Sequence, residues 1–596
     1  MNNDTYFDMI VHDKYKFSLL FLLINCSLWH IQGAYANNQI IPGLEIFGNR
    51  YELTGEVDLN GGILRLPQGA IFDCRNGVIK NGTVKGCGNK IIYNTPFIGD
   101  NLIIDGLYVI DRLIVSENIL VNNRFSNAEI HNVCGLARKG SKIVFEHGIY
   151  NDVAQIILGK DIELDFSNSV LNAAVDQYGL SSSVFTTEVE SKRKLKKVII
   201  KNLIIDGQKP YNGQSEGTGL RRNAIRLMNV QEVYLNNVEI RNFETGTGGY
   251  YAKNVKERYM EGVCNITNYR RCEILNCALS LNTGEGFFLV PQESNKNYTL
   301  FKNNISKNNQ GTFLTLVDGR CIVEDNEMEG FGFSGMNVFC YNSVIRNNHF
   351  KRGARFNCID ITENGLYWPR NVKIYGNEAE DCVGFIMVAG ENITIKKNIC
   401  RNPRSAYALT IFGHESTNEN SPAYLVQRNA INGSACIKVK NNEWTCKGGI
   451  ATYKGCQGDI NICNNIISIV PDEEGKPHRG SSLELNDCKS IKIENNIFRD
   501  SFRNAMANSN VYITINECYG EAIIRNNSFM RTLLTSDKST FFLYTQSSLL
   551  ERLTIVGNKS NIVEIEARTP DGMLSVSKKK IVRNNGSIDI KGVIKE

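Results

Sequence analysis

The chain has 596 residues, 42% of them hydrophobic and 22% charged, a composition that suits a folded protein but a length far beyond one compact core. A formal net charge of +5 over that length is mild, and it excludes a dedicated nucleic-acid binder, whose basic residues would form a concentrated stripe. The one strong basic run, Lys192–Lys197, reads as a solvated loop before a strand.

At the N-terminus, Lys14 and Lys16 precede the apolar run FSLLFLLI, and Ala34-Tyr35-Ala36 follows at a cleavage-site distance. Residues 1–36 therefore read as a secretory leader, with Met9 as an alternative start. The apolar run is too short to span a bilayer, and no later segment reads as a transmembrane helix. A lipid-modified Cys26 is the competing reading, weakened by the large Asn25 before it. An exported protein is expected, whether periplasmic, on the cell surface or secreted. The 18 cysteines become 17 without Cys26, an odd number, and no pair has metal-site spacing. Many lie in strand-like runs (Cys272, Cys321, Cys358, Cys463) and are expected as buried, unpaired thiols. Cys74 with Cys87 is the one disulfide suggested.

Residues 37–139 read as a β-rich N-terminal domain, and residues 581–596 as a tail. Between them, from 140 to 580, the chain repeats. CIVEDNEM, SVIRNNHF, VKIYGNEA, ITIKKNIC, YLVQRNAI, INICNNII, IKIENNIF, AIIRNNSF and LTIVGNKS share one frame, with an Asn at 326, 348, 377, 398, 429, 465, 496, 527 and 558. Asn303 and Asn442 fit the same frame, although the short step from Asn429 to Asn442 does not. Gaps of 21 to 23 recur, with longer ones near 31. Apolar residues alternate with period two in runs of three to five, which excludes helical repeats, and the Leu-x-x-Leu-x-Leu frame of leucine-rich repeats is absent. What remains is an all-β, right-handed parallel β-helix: three short strands per coil, inward residues stacked on those of the next coil, and a buried Asn ladder at one turn.

This Asn-centred repeat resembles the pectin-lyase-like superfamily over roughly residues 140–580. KIVFEHGIYNDVAQIIL (142–158) looks like the entry of such helices, and LNGGILRLPQGAIFDCRNGVIKNGTVKG (59–86) is similar to the leading β domain of exported bacterial β-helix proteins. The resemblance implies that the Asn turn separates the second and third strands of a coil, and that polysaccharide clefts run along the outer face of the first. It does not imply one chemistry, because the fold hosts lyases, hydrolases, epimerases, tailspikes and adhesins. The polygalacturonase-type motifs Asn-x-Asp, Asp-Asp, Gly-His-Gly and Arg-x-Lys are missing from the repeat, as is the clustered-Asp calcium site of many pectate lyases.

Taking FLTLV, GMNVF, CIDIT, FIMVA, ALTIF, CIKVK and SLELN as first strands gives an outward row of Thr315, Asn337, Asp360, Met387, Thr410, Lys438 and Glu484. Asp360 is the expected central catalytic carboxylate, because Ile359 and Ile361 must point inward and leave it facing out. Asp318, two coils away or roughly 10 Å, and Glu363, which can fold back, are its expected partners. His414, Lys438, Asn337, Phe339 and Trp368 are expected substrate contacts, with the aromatic rings stacking on sugar faces. Asp206 and Glu285 sit beside glycines and read as turn residues. The function expected is cleavage of a polysaccharide by hydrolysis or β-elimination; the alternative is a non-catalytic glycan-binding or surface protein. Hydrolysis needs no cofactor and no metal, whereas elimination would use Lys438 or Arg355 as base and calcium as cofactor. A monomer is expected.

Overall fold

The computed structural model describes residues 41–74, 76–92, 102–108, 112–115, 140, 142–145, 147–153, 156–173, 183–187, 194–208, 223–243, 262–292, 296–353, 356–361, 369–401, 404, 407–412, 436–453, 456, 458–470, 482–500, 511–531, 540–546, 548–568, 575–582 and 585–591. The expected leader and Cys26 lie outside them. The chain divides into two compact units: residues 1–152 with 162–167, and residues 153–161 with 168–596.

In the first unit, Leu44–Phe47 and Arg50–Leu53 form an antiparallel hairpin, and Arg50–Leu53 pairs in parallel with Ile71–Asp73. Gly82–Ile92 joins Ile71–Asp73, Ile63–Arg65 and Leu102–Tyr108 in the same sheet. Leu53, Phe72 and Val84 are fully buried, and the buried Asp73 carboxylate is held by Arg50. Cys74 faces this core as a free thiol, whose pKa burial pushes well up. The expected bridge to Cys87 is thus not formed. All fifteen cysteines whose side chains are described are free, and only Cys436 and Cys463 are not buried. Here Cys behaves as a small apolar residue, as its place in alternating runs requires.

The second unit stacks three parallel sheets, each strand pairing with its counterpart one coil further along the chain. One coil shows the rule. Leu314–Gly319, Cys321–Glu324 and Glu327–Glu329 are its three strands. The first and second pair with successive parts of the long strand Met336–Arg346, and the third with His349–Lys351. The pairing continues through Asn585–Lys591, which adds to Lys559–Arg568. Apolar side chains line the first sheet's inner face: Leu314, Met336, Ile359, Ile386, Leu409, Ile450 and Leu483 stack along it with no exposure.

The turn between second and third strands carries the ladder. Asn304, Asn326, Asn348, Asn377, Asn398, Asn442, Asn465, Asn496, Asn527 and Asn558 are all buried. Along it each Nδ2 donates to the next Oδ1 at 2.8–3.1 Å. The residue before each ladder Asn is left-handed, as at Asn303 (φ 55°), Asn347 (φ 53°) and Gly376 (φ 66°). Asn and Gly recur there because they tolerate that conformation best. Two positions of the sequence frame are corrected. Asn304, not Asn303, is the ladder residue. Asn398 bonds directly to Asn442, so Asn429, outside the described residues, has no rung between them.

Candidate functional site

The outer face of the first sheet is fixed by strand register. Arg226, Asn265, Phe288, Thr315, Asn337, Asp360, Met387, Thr410, Ala451, Glu484 and Thr514 follow one another, each paired with the next. Asp360 lies half-buried between Asn337 and Met387, flanked on its own strand by the fully buried Ile359 and Ile361. Asn337 and Phe339 share this face and are buried to 4% and 6% exposure. Lys438 does not belong to the row. It sits on the second sheet, between Thr394 and Asn461, and Ala451 occupies the position between Thr410 and Glu484.

Asp318 is the next-to-last residue of the strand Leu314–Gly319, where the register shifts between Val317 and Gly319 in a β-bulge. Its strand and that of Asp360 are separated by the one carrying Asn337, which preserves the two-coil spacing. Glu363, His414, Trp368 and Arg355 lie outside the described residues.

The face divides into a closed and an open stretch. On the closed side, Asn265, Thr315 and Asn337 are at most 5% exposed, and Asn265 Nδ2 and Asn337 Oδ1 meet no hydrogen-bond partner in the protein. Glu285 joins them from the start of the strand Glu285–Pro291. The residue keeps partial exposure, but its Oε2 is shut off from solvent and meets no donor. Burial pushes its carboxyl up to about 6, against a weaker pull from the Thr315 hydroxyl. Arg226, at the far end, is half-buried; burial lowers its guanidinium, whose Nε has no acceptor. On the open side, Glu484 accepts a hydrogen bond from Tyr407, and Phe412 stacks on Tyr453 with centroids 4.8 Å apart and rings 3° from parallel. Tyr453 is 48% exposed.

Glu285 and Arg226 were not legible as site residues. The run GFFLVP is apolar throughout, so alternation within it cannot show which face a residue takes; only the register from Phe288 to Thr315 does. Glu285, the register partner of Gly262, and the row carboxylates Asp360 and Glu484 are widely spaced. From Glu285 to Asp360 is three strands, roughly 14 Å, and from Asp360 to Glu484 four, roughly 19 Å. Among the described residues no group of three His, Cys, Asp or Glu side chains could hold a metal, so they offer no cradle for the calcium that elimination would use.

A family model, Right handed beta helix region, matches residues 223–400. No curated protein sequence matches the chain. Among solved structures, the chain is similar to the Streptococcus pneumoniae surface protein and adhesin PfbA at 12% identity and a TM-score of 0.29, over 74% of this chain and 91% of that one. It is similar to the Yersinia enterocolitica family 28 exopolygalacturonase at 10% identity and a TM-score of 0.25, over 80% and 79%. The PL6 family alginate lyase AlyGC aligns at 10% identity and a TM-score of 0.20, over 91% and 97%. Likenesses this distant carry no argument about activity. The stacked parallel strands and the matched segment agree: residues 223–400 match the right-handed β-helix region model, and the strands there stack as parallel coils.

Proposed function

We propose that the protein acts outside the cytoplasm on a polysaccharide laid along the outer face of its first sheet, and that Asp360 is the carboxylate at the centre of the cleavage site. The observation that carries this reading is the position of Asp360, outward and half-buried where the closed polar stretch meets the open one. A carboxylate between Asn337 and Met387 adds nothing to core packing, while the hydroxyl and amide groups beside it match the hydrogen-bonding needs of sugar rings. Asp318 is the partner whose two-strand spacing, roughly 10 Å, comes nearest to the 6.5–9.5 Å of an inverting pair.

A panel of glycans assayed for both new reducing ends and unsaturated uronates tests the reading and separates hydrolysis from elimination. Asp360→Asn keeps the shape and removes the charge. Activity is expected to fall at least ~100-fold, the scale of one positioned acid or base, with the melting temperature unchanged. Full activity in that variant moves the centre away from Asp360. The wide spacing of Glu285, Asp360 and Glu484 favours a second reading, a glycan-binding surface without turnover. Glycan binding with no product on the whole panel would select it.

A further inference from the structure

The outer face of the second sheet carries charge in two adjacent rows, and its pattern changes along the stack. In one row Lys302, Glu324 and Arg346 are successive register neighbours. They neutralise one another: Lys302 Nζ lies 2.8 Å from Glu324 Oε1, and Arg346 Nε donates to Glu324 Oε2 at 2.6 Å. Further on, Arg525 Nε lies 2.7 Å from Glu494 Oε1. Between these two compensated stretches no ion pair joins described residues of either row. Tyr375, Lys396, Lys440 and Cys463 follow in that row. Lys373, Thr394, Lys438, Asn461 and Lys492 follow in the other.

All five lysines point away from the core, because Ile374, Ile395, Ile437, Val439, Ile462, Ile491 and Ile493, which alternate with them or with their row neighbours, are buried. Lys396 and Lys440 are direct register partners, an arrangement of like charges that costs stability in a sheet. Among the described residues, the Tyr375 ring lies 5.1 Å from Lys396 Nζ. Described acidic groups beside the patch are Asp459, at the start of the strand Asp459–Cys463, Glu494, which Arg525 engages, and Glu521, which Arg552 engages.

We propose that this lysine patch is a docking surface for a linear acidic polysaccharide running across the strands, separate from the first-sheet face. Charge complementarity selects an anion. Spacing selects the kind: Lys373, Lys438 and Lys492 recur on every second strand, roughly 10 Å apart, which suits a chain with one carboxylate or sulfate per such interval. Duplex DNA carries a charge about every 1.7 Å and gains most from a dense basic stripe, which this patch is not.

The test uses the full-length protein and hyaluronan, a glycan with one carboxylate per disaccharide, against neutral dextran, duplex DNA and phosphatidylserine vesicles. Hyaluronan binding is expected, weakening steeply with salt, and the triple variant Lys373→Gln/Lys438→Gln/Lys492→Gln should weaken it at least ~10-fold. The same variant should keep the wild-type melting temperature, since it removes outward-facing charges that support no core packing. Absence of hyaluronan binding, equal binding by the variant, or tighter binding to DNA or vesicles each overturns the proposal. The Asp360→Asn variant should bind hyaluronan at this patch as the wild type does, so failure of the cleavage reading leaves this measurement intact.

Discussion

Glu285 shows how a single side chain can make the site and the stability of the coil depend on one proton. Its ordinary value is 4.5 and its buried carboxyl sits at about 6, because the charged form loses water and gains only the Thr315 hydroxyl. The native state therefore holds the proton more tightly than the unfolded chain does. The stability this contributes is fully present below about pH 4.5 and is lost as pH rises through about 6, amounting to ~2 kcal/mol for a shift of that size. Glu285→Gln has no proton to lose. Urea unfolding at a series of pH values should show the variant gaining ~2 kcal/mol on the wild type between about pH 4 and pH 7. A constant difference across that range would mean the carboxyl is solvated. A neutral carboxyl at weakly acidic pH can also donate a hydrogen bond, which the ionised Asp or Glu of an open surface cannot.

At the scale of the strand and turn, the left-handed position before each ladder Asn is occupied by Asn303, Asp325, Asn347, Gly376, Asn441, Asn464, Asn495, Asn526 and Gly557, but once by Lys397 (φ 54°). A long side chain gains nothing there from local hydrogen bonding and bears the cost of the left-handed conformation, so Lys397 is the weak turn of the series. Lys397→Asn is expected to raise stability by ~0.5–1 kcal/mol and Asn441→Lys to lower it by about as much, read from denaturant midpoints. Opposite signs for these two substitutions are what the turn geometry requires. The same turn explains what could be read in advance. The strand–Asn–strand frame was legible because a buried amide and a left-handed residue both restrict chemistry, and each leaves its mark in the sequence. Sheet membership was not. CIKVK alternates as a first-sheet strand would, and nothing local distinguishes the sheets, so its pattern points Lys438 to the first; the register with Ile393–Lys396 puts it on the second. The face of Asp360 is legible because CIDIT is short and strictly alternating, whereas the continuous apolar run after Glu285 leaves the faces of that strand ambiguous.

At the scale of the second unit, each coil meets only the coils before and after it, so stability is a sum of neighbour terms rather than the property of one core. Asn398 is a place to test this. Its backbone N–H and its Nδ2 both donate to Asn442 Oδ1, at 2.9 and 3.0 Å, and Nδ2 also donates to the Ile374 carbonyl at 3.1 Å. Its own Oδ1 accepts from the N–H and the Nδ2 of Asn377, both at 3.0 Å. Asn398→Leu leaves those partners buried without replacements, and an unsatisfied buried group costs about 1–3 kcal/mol, so a loss of at least ~3 kcal/mol is expected. Where that loss appears matters more than its size. In a globular core it would lower the protection of every amide. Here, amide hydrogen exchange should accelerate in the strands Arg370–Tyr375, Ile393–Lys396 and Cys436–Lys440, and in the turns joining them to the third sheet. The strands Ile225–Met228 and Gly262–Tyr269, several coils away, should keep their wild-type protection. Uniform loss of protection would mean that the coils melt together, and that a site built on one of them depends on all the others.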